Sequence, residues 1–518
     1  MTVRNLIIGS IIVINFVIAS LGVIFTPRWF YLLIIPVILL AVAIYHVTQK
    51  KHAILRNYPL VGKLRYFFEG IRPEMRQYFW ESDTDGRPFN RRQRSIVYQR
   101  AKNERETVAF GMQNDPNEIG NEWAAHSVYP TTIENKDLRV KVGNAQCKQP
   151  YDLSIFNISA MSYGALSKTA VKALNKGAAM QNFAHNTGEG GISQYHENGG
   201  DLIWQIGTGY FGCRDDEGNF HDERFKEKAR LPHVKMIELK LSQGAKPGHG
   251  GMLPAAKNTK EIAKIRHVQP NTDVNSPPAH TAFNSAEGML HFIQKLRDLS
   301  DGKPVGFKIC IGDEEEFIDI CKAMVETQIV PDFIAIDGSE GGTGAAPLEF
   351  TDNLGMPLYD ALTFVTKTLI SFKLKRHIRI IVSSKIITGF DILKTIALGA
   401  DACYSARGMM FALGCIQALQ CNEDTCPVGV ATQNPKLYKG LDVDNKSVRV
   451  AQFHKNTLRA TVELMEACGF KTLDDVSADK FFRKVSSLET KSFEKIYFKK
   501  EGKLVENHTN FAPPVVYD

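Results

Sequence analysis

Two lysines six residues apart give the chain its clearest chemical signal. Lys240 ends an apolar run, and Lys246 follows on a loop made mostly of glycine, proline and small polar residues. Two ammonium groups held close together repel each other, and an anion between them relieves that cost. The pair therefore predicts an anion site that a dicarboxylate or a flavin oxyanion would fit, whereas exposed surface lysines are the ordinary alternative.

Three further side chains are candidates for the same site. Gln243 lies between the two lysines, and Arg266, on the next predicted helix, could clamp a carboxylate through two parallel hydrogen bonds. Glu189 lies among three glycines in the segment 186–191, where the backbone can approach a ligand closely. Taken alone, the arginine is more often a surface residue, and the glycine segment is more often a plain flexible loop.

A third lysine and a run of small residues suggest a flat aromatic cofactor. Lys308 interrupts the apolar run Val305–Ile309, so it should be buried and need an anionic partner. In barrel flavoenzymes, a strand lysine near the N1 and O2 edge of the flavin stabilises the reduced, anionic ring. The small residues would let the backbone approach such a ring, or would form a tight structural turn: Ser159, Ala160, Met161 and Ser162.

Two late segments rich in glycine and serine predict a phosphate site. Both follow β-branched runs, and barrels often bind phosphate through backbone amides at two such consecutive strand ends. The sequence has neither a dinucleotide fingerprint nor a P-loop motif, so the set suggests a mononucleotide. The candidate residues are Asp337, Ser339, Gly341, Gly342, Ser384, Gly389, Ser405, Ala406 and Arg407.

Three cysteines lie close together in the sequence, as Cys415-x5-Cys421-x4-Cys426 followed by a proline. Three thiolates in this space suit an iron–sulfur cluster with three protein-bound irons. A zinc site would want a fourth ligand, and His454 is far along the chain. Unrelated buried cysteines are the alternative. The odd total of nine cysteines favours a reducing cytoplasm over an extracellular disulfide framework.

The candidate residues follow strand-like runs, and this arrangement predicts the scaffold. Short β-branched runs alternate with helical periodicity between residues 150 and 435, which is the pattern of an α/β fold with a parallel sheet. The length of this segment predicts a (β/α)8 TIM-type barrel, whose chemistry lies at the C-terminal ends of the strands. The clearest predicted strands are Val234–Leu241, Pro304–Ile311, Phe333–Asp337, Ile378–Ser383 and Ala402–Ser405.

Two apolar runs at the N-terminus predict a transmembrane helical hairpin within residues 1–52. Leu6–Phe25 is long enough to span a bilayer, and the run from Trp29 to Tyr45 spans it if its helix continues to about Thr48. A cleaved signal peptide is the alternative, but it would have no second apolar run. Positive charge is heavier after the second run than in the turn. We therefore expect residues 5–48 to cross the inner (cytoplasmic) membrane as two helices, with the catalytic domain in the cytoplasm.

The remaining segments give no chemical motif. Residues 53–149 are polar, aromatic and basic and predict a scaffold segment, while residues 436–518 predict closing helices and a polar tail. The net charge of +7 is modest for 518 residues, and no nucleic-acid-binding motif accompanies it. We therefore expect no nucleic-acid partner.

Taken together and in order, the motifs resemble the FMN-binding synthase domain of the glutamate synthase family. The last of them is highly specific, because the cysteine spacing and the CPVGVATQ tail both agree. The region before the barrel is similar to that of stand-alone, membrane-anchored glutamate-synthase-like proteins. The matching motifs are MSYGALS (161–167), NTGEGG (186–191), KLSQGAKPGHGG (240–251), SPP-A-H (276–280), DGSEGGTGA (337–345) and GCIQALQCNEDTCPVGVATQ (414–433).

The resemblance implies a barrel that carries FMN and a [3Fe-4S] cluster held by the three cysteines. It also implies that electrons from an unidentified donor reduce FMN, and that 2-iminoglutarate, formed from 2-oxoglutarate and ammonia, is reduced to L-glutamate. Carried over by motif, Lys246, Gln243 and Glu189 would be catalytic, with Glu189 near the entry point of ammonia. Lys240, Lys246 and Arg266 would bind the keto acid.

Several departures from the large synthases affect the substrate expectation. A membrane helix replaces their N-terminal glutaminase, so we expect no glutamine hydrolysis by this chain. His249 replaces a glutamate, Met252 replaces a glutamine, and 383–385 replaces Asp-Gly-Gly. A flavin and iron–sulfur oxidoreductase that acts on another 2-oxo or amino acid with a membrane electron donor is the alternative. An inactive membrane scaffold is a third hypothesis.

Overall fold

The computed structural model describes residues 2–104 and 107–498, and it divides into two units, Met1–Pro88 and Phe89–Asp518. The first unit is helical. The second contains every strand of the described residues. The predicted polar tail beyond residue 498 lies outside the described part of the chain.

The first unit begins with two apolar helices. Helix α1 is Val3–Ile24, and a 3₁₀ turn at Pro27–Leu33 leads directly into helix α2, Ile34–Thr48. The stretches Val3–Ile24 and Pro27–Thr48 each contain 22 residues and are long and apolar enough to cross a membrane. A helix of this length extends about 33 Å, slightly more than a bilayer core. The two predicted apolar segments are therefore helical, as the sequence indicates.

Two shorter helices complete this unit. Helix α3 is Ala53–Asn57, and helix α4 is Gly62–Met75, with a π-helical turn at Arg76–Trp80 continuing from its end. Helix α3 contacts both α2 and α4.

The second unit contains the remaining helices and all the described strands. Its helices are α5 Arg91–Lys102, α6 Lys168–Gln181, α7 Asp222–Ala229, α8 Lys260–Arg266, α9 Ala286–Leu299, α10 Glu314–Thr327, α11 Leu348–Asn353, α12 Leu358–Ser371, α13 Gly389–Ala397, α14 Arg407–Leu413, α15 Pro435–Tyr438 and α16 Val443–Cys468. Its strands are β1 Glu122–Ala124, β2 Arg139–Val142, β3 Tyr151–Ser154, β4 Phe156–Ile158, β5 His185–Asn186, β6 Leu202–Ile206, β7 Val234–Lys240, β8 Met252–Leu253, β9 Val274–Asn275, β10 Val305–Ile309, β11 Phe333–Asp337, β12 Arg379–Ser383, β13 Ala402–Ser405, β14 Phe481–Lys484 and β15 Thr490–Ser492.

Eight parallel strands close into a barrel, which confirms the predicted TIM-type fold. The order around the barrel is β4-β5-β6-β7-β10-β11-β12-β13, and β13 pairs back with β4. Strands β11 and β13 have the predicted bounds, and the other three predicted strands are one to three residues shorter than expected. All eight strands run in the same direction, so their C-terminal ends meet at one mouth.

The opposite end of the barrel is closed by the hairpin β2–β3. Val142 and Leu153 from this hairpin are fully buried with interior residues such as Met236 and Phe333. Outside the barrel, helix α16 packs along α6, where Gly177 allows a close approach, because a Cβ there would come 2.8 Å from Val450. The polar hydroxyl of Ser167 accepts a hydrogen bond from Ala170 N and begins helix α6 at the end of the MSYGALS motif.

Candidate functional site

Three buried cations surround one carboxylate at the barrel mouth. Lys240 Nζ lies 2.9 Å from Glu189 Oε1. Lys240, Lys246 and Arg266 are 8%, 2% and 5% exposed, although lysine and arginine are seldom buried this deeply. The two ammonium groups that the sequence predicts to be close do interact, and the anion nearest to them is the protein's own Glu189.

The electrostatics of this cluster follow from burial and from these neighbours. Burial alone would raise the pKa of Glu189, but Lys240, with Arg266 and Lys246 behind it, lowers that pKa below its usual value. Burial, reinforced by the charge of Lys240, lowers the pKa of the Lys246 ammonium. Burial lowers the pKa of Arg266 to about 10. One carboxylate therefore faces three cations, and the cluster keeps an excess of two positive charges.

Glycines on neighbouring loops make room for the carboxylate of Glu189. A Cβ at Gly251 would come 2.6 Å from Glu189 Oε1, and a Cβ at Gly207 would come 2.6 Å from Oε2. Gly188 has a φ of +65°, and a Cβ there would come 2.6 Å from the backbone nitrogen of Ser162. The motifs NTGEGG, KLSQGAKPGHGG and MSYGALS therefore meet in space.

Arg266 ties these loops together at the end of helix α8. Its Nη2 donates to the carbonyl of Tyr163 at 3.1 Å and approaches Ser162 Oγ at 3.5 Å. Its guanidinium also lies 5.1 Å from the centre of the Phe211 ring. Gln243, the other predicted member of the site, is half-buried, and its carbonyl accepts a hydrogen bond from Lys246 N at 3.3 Å in the turn between the lysines.

A histidine that the sequence analysis did not single out positions Lys240. His280 Nε2 donates to the carbonyl of Lys240 at 2.8 Å. Burial lowers the pKa of His280 to about 4, so the ring is neutral and its Nδ1 accepts from Tyr210 OH at 3.1 Å. Tyr210 OH in turn accepts from Ala282 N. The SPP-A-H motif carried a signal for this residue, but its partner is a backbone carbonyl, which no side-chain pattern reveals.

Lys308 has the buried anionic partner that its sequence position predicts. Its Nζ lies 3.1 Å from Asp337 Oδ2, and the same oxygen accepts from Gly244 N at 3.0 Å. Burial opposes the charged form, but Asp337 and then Glu238 raise the pKa of Lys308. Asp337 therefore joins the end of β11 to the lysine loop that follows β7.

A polar layer inside the barrel was missed by the sequence analysis. Glu238 Oε1 accepts from Asn186 Nδ2 at 2.8 Å and from Gln205 Nε2 at 2.6 Å, and all three residues are buried. Burial raises the pKa of Glu238. A signal was present in the sequence for Gln205 and Glu238, because each lies in a mainly apolar strand, whereas the two-residue strand of Asn186 gives none.

The late strand ends form an open, glycine-lined surface beside Arg407. A Cβ at Gly342 would meet only Arg407 Nη2, at 4.0 Å, and a Cβ at Gly341 would meet nothing closer than 3.3 Å. Ser159 Oγ lies 3.1 Å from Ser383 Oγ, and Ser159 N donates to the carbonyl of Ser405. The first, seventh and eighth strand ends are thus adjacent, and the open glycines and the arginine fit the phosphate end of a mononucleotide such as FMN.

Other predicted cofactor residues have different surroundings. Ala160 and Ser339 are half-buried at the mouth, and Ala406 begins helix α14. Ser384 Oγ donates to Glu340 Oε2 at 3.2 Å. Gly389 packs against helix α16, where a Cβ would come 2.6 Å from Thr461 N. The predicted role of Gly389 in phosphate binding stays a prediction.

Lys385 illustrates how this chain departs from the Asp-Gly-Gly pattern. Its φ is +23°, at the edge of the region that glycine adopts without strain. Its Nζ lies 5.8 Å from the centre of the Phe89 ring.

The three predicted cluster cysteines lie next to the glycine-lined surface. A Cβ at Gly344 would come 3.0 Å from Cys421 Cβ, and Arg407 Nη1 lies 3.8 Å from Cys421 Sγ. Burial raises the pKa of the Cys415 thiol to about 11, and the neighbouring Cys421 and Cys426 act in the same direction. All three are free thiols, and Cys415 and Cys426 are buried.

The three cysteine thiols are chemically suited to bind an iron–sulfur cluster, but their sulfur atoms are not gathered as cluster ligands would be. Three soft thiols beside a cation suit such a cluster. Within residues 2–104 and 107–498, however, no three His, Cys, Asp or Glu side chains are gathered closely enough to hold a metal ion.

A buried lysine that the sequence analysis missed joins the loop that carries Cys421 to the segment between β8 and α8. Lys257 is 2% exposed, and its Nζ donates to the carbonyls of Cys421 at 2.6 Å and Ala431 at 2.8 Å. A longer contact of 3.4 Å reaches the carbonyl of Ala165. Burial lowers the pKa of Lys257.

A family profile and the similar proteins both point to the same family. The sequence profile of the conserved region in glutamate synthase matches residues 96–471. The glutamate synthase large subunit-like protein YerD of Bacillus subtilis is 38% identical over 481 residues, which cover 85% of this chain and 91% of that protein. The archaeal glutamate synthase (NADPH) of Methanocaldococcus jannaschii is 32% identical over 390 residues, which cover 75% of this chain and 72% of that protein.

Proposed function

The chain belongs to the glutamate synthase family and is an oxidoreductase acting on CH–NH2 groups, and we propose that it forms L-glutamate. The proposed reaction reduces the imino acid that 2-oxoglutarate and ammonia form, using electrons from a donor outside this chain. The proposed catalytic part is the barrel of residues 150–435.

The excess of positive charge around Glu189 is the observation that supports this proposal. Lys240, Lys246 and Arg266 are all buried, and one carboxylate neutralises only one of them. A dicarboxylate brings two negative charges and would balance the other two. A monocarboxylate would leave one buried cation without a partner, which costs free energy.

FMN is the cofactor that the family implies and that the residues at the mouth fit. Arg407, Gly341 and Gly342 would hold its phosphate, and Lys308, fixed by Asp337, would lie near the ring. When bound and reduced by the external donor, FMN would supply the hydride for the imine carbon.

The roles of the chain's own residues follow from the geometry. Lys240 and Arg266 bind the two carboxylates of the keto acid. Gln243 and the backbone around it shape the turn between Lys240 and Lys246. Lys246, whose pKa is lowered by burial and by Lys240, is suited to give a proton from Nζ to the substrate nitrogen. Glu189 keeps its negative charge beside the lysines and can orient the incoming ammonia.

We also propose that Cys415, Cys421 and Cys426 hold a [3Fe-4S] cluster. The proximity of Cys421 to Gly344 and Arg407 supports the proposal, because a redox centre must lie close to the flavin. Such a cluster passes single electrons.

The test uses the purified full-length protein, reduced by dithionite without oxygen. Addition of 2-oxoglutarate with ammonium should reoxidise the flavin and yield one L-glutamate per flavin, whereas either compound alone should not. A Lys246→Ala variant should bind FMN normally but lose most of this reoxidation. A protein without bound FMN, or reduced flavin that ignores both compounds, would refute the proposal.

One observation favours a second candidate, reduction of a different 2-oxo acid. Met252 is 45% exposed and follows Gly251, whose Cα lies beside the Glu189 carboxylate. A thioether cannot donate the hydrogen bonds that a glutamine amide offers a polar substrate. Faster reoxidation by a 2-oxo acid with an apolar side chain than by 2-oxoglutarate would favour this alternative.

We propose that the catalytic barrel is held at the cytoplasmic face of the inner membrane by helices α1 and α2. Their length and apolar composition support this localisation. Recovery of the protein in the membrane fraction after an alkaline carbonate wash would test it, and release into the supernatant would contradict it.

A further inference from the structure

Helix α4 and the turn after it carry an apolar stripe that is largely exposed. Leu64, Phe67 and Phe68 are 54%, 57% and 61% exposed, and Phe79 and Trp80 in the turn are 74% and 69% exposed. Water-exposed side chains of this size are unusual as a group, because soluble proteins seldom leave contiguous apolar patches open.

The spacing of these residues places them on one face of the helix. Leu64, Phe67, Phe68, Ile71 and Met75 follow the i, i+3, i+4, i+7 pattern, which forms one stripe along a helix. Tyr78 and Phe79 continue the same spacing into the turn.

Charged residues run along one side of this stripe. Arg65, Glu69, Arg72 and Arg76 recur at the same helical spacing, and Arg65 pairs with Glu69 at 2.9 Å. Residues 50–80 contain seven lysines and arginines against two glutamates. An amphipathic helix with aromatic residues on its apolar face and basic residues beside that face is the pattern of a helix that lies in a membrane interface.

The position of α4 in the chain indicates that its exposed stripe contacts a bilayer. Only 13 residues separate Thr48, the end of the second apolar helix, from Gly62, the start of α4. Helix α3 contacts α1, α2 and α4, so all four helices belong to the same unit. If α2 ends at the cytoplasmic surface of the bilayer, α4 begins there too, next to anionic headgroups that attract its basic residues.

We propose that α4 and Arg76–Trp80 lie in the headgroup layer of an anionic bilayer, with Phe67, Phe68, Phe79 and Trp80 inserted between the lipids. This inference rests on the proposed membrane localisation. It gives the protein a second membrane contact, parallel to the surface, in addition to the two apolar helices.

Tryptophan quenching tests the proposal on the full-length protein. The chain has four tryptophans, Trp29, Trp80, Trp123 and Trp204. Trp204 is buried, and Trp123 stacks on Phe482 at 5.9 Å, so both give a constant background. The protein would be reconstituted in vesicles of phosphatidylcholine and phosphatidylglycerol. The bromine atoms would be carried on the lipid acyl chains, close to the headgroups.

Three variants separate the two membrane contacts. In Trp29→Phe, the shallow bromines should quench Trp80, and this quenching should be lost in the Trp29→Phe/Trp80→Phe double variant. In Trp80→Phe, quenching of Trp29 reports the apolar hairpin. Retained quenching of Trp29 with none of Trp80 would overturn the surface-helix proposal alone. Loss of both would overturn the membrane localisation together with it.

A side-chain substitution and a lipid control complete the test. Phe67→Ser/Phe68→Ser, made in the Trp29→Phe protein, should abolish the lipid quenching of Trp80, whereas Leu488→Ser, at a 95% exposed leucine of the other unit, should leave it unchanged. Replacing phosphatidylglycerol with phosphatidylcholine should weaken the quenching. If Trp80 is shielded from bromolipids and from aqueous acrylamide alike, a protein surface covers the stripe and the proposal is wrong.

Discussion

Replacing Glu189 with glutamine tests the electrostatic account of the barrel mouth. The substitution keeps the size of the side chain but removes the only carboxylate between three buried cations. Lys240 and Lys246 would then repel each other without compensation. We expect Glu189→Gln to destabilise the protein and, at the same time, to make its stability respond more strongly to added dicarboxylate.

The magnitude follows from the geometry of the pair. At 2.9 Å, the gross attraction between Lys240 and Glu189 is about 6 kcal/mol with an effective dielectric constant near 20. Desolvation offsets part of it, and removing one partner of a buried pair typically costs about 3–5 kcal/mol. In a unit of this size, each kcal/mol lowers Tm by roughly 1 °C. Glu189→Gln should therefore lower Tm by roughly 3–5 °C.

Thermal unfolding of the detergent-solubilised protein, followed by intrinsic fluorescence, measures this change. Glu189→Gln, Lys240→Met and the double variant form a double-mutant cycle, which isolates the interaction between the two side chains. The double variant should be clearly more stable than the sum of the two single losses predicts. Losses that simply add, or a Tm for Glu189→Gln within about 1 °C of the parent, would refute the reasoning.

Three further predictions concern residues around this site. Stability should fall as pH drops from 6.5 to 4, because His280 has a folded pKa of about 4 and protonates first in the unfolded state. His280 should contribute up to about 3 kcal/mol to this loss of folding free energy. In a pH series of Tm values, His280→Gln should reduce the slope, and an unchanged slope would contradict this. Lys257→Met should lower the free energy of unfolding by about 3 kcal/mol, because it leaves buried carbonyls without hydrogen-bond donors. Lys260→Met, at an exposed position, should leave stability unchanged. Equal Tm values for the two variants would count against a structural role of Lys257. Cys421→Ser should lose the iron measured in the purified protein, with Cys468→Ser as the control, and full iron content in both would exclude Cys421 as a ligand.

Local sequence patterns predict the barrel well where an apolar run has a clear polar end. Strands β11 and β13 begin and end at the predicted residues, because their apolar runs end at an aspartate and a serine. Strand β5 contains only two residues, which is too short for any periodic signal. Its place in the barrel depends on pairing with β4 and β6, which only the folded chain establishes.

The site was predictable in its charges and less so in its partners. The closeness of Lys240 and Lys246 follows from their spacing, and the need of Lys308 for an anion follows from its position inside a strand. The anion beside Lys240 comes from Glu189, more than fifty residues earlier, and no local pattern encodes that contact.

Contacts to the backbone were the least predictable part of the site. Lys257 and His280 both donate hydrogen bonds to backbone carbonyl groups. Because every residue has such a carbonyl, the partner cannot be predicted from the side chain. The close packing of Gly389 against Thr461 is likewise a long-range backbone contact that no local pattern encodes.

The most direct test of the central claim is the affinity of the oxidised protein for 2-oxo acids, measured by perturbation of the flavin spectrum. The claim is that three buried cations and one carboxylate leave two positive charges for a substrate. It predicts that 2-oxoglutarate binds at least about tenfold more tightly than 2-oxovalerate, which lacks the second carboxylate. Equal affinities for the two acids would contradict the account.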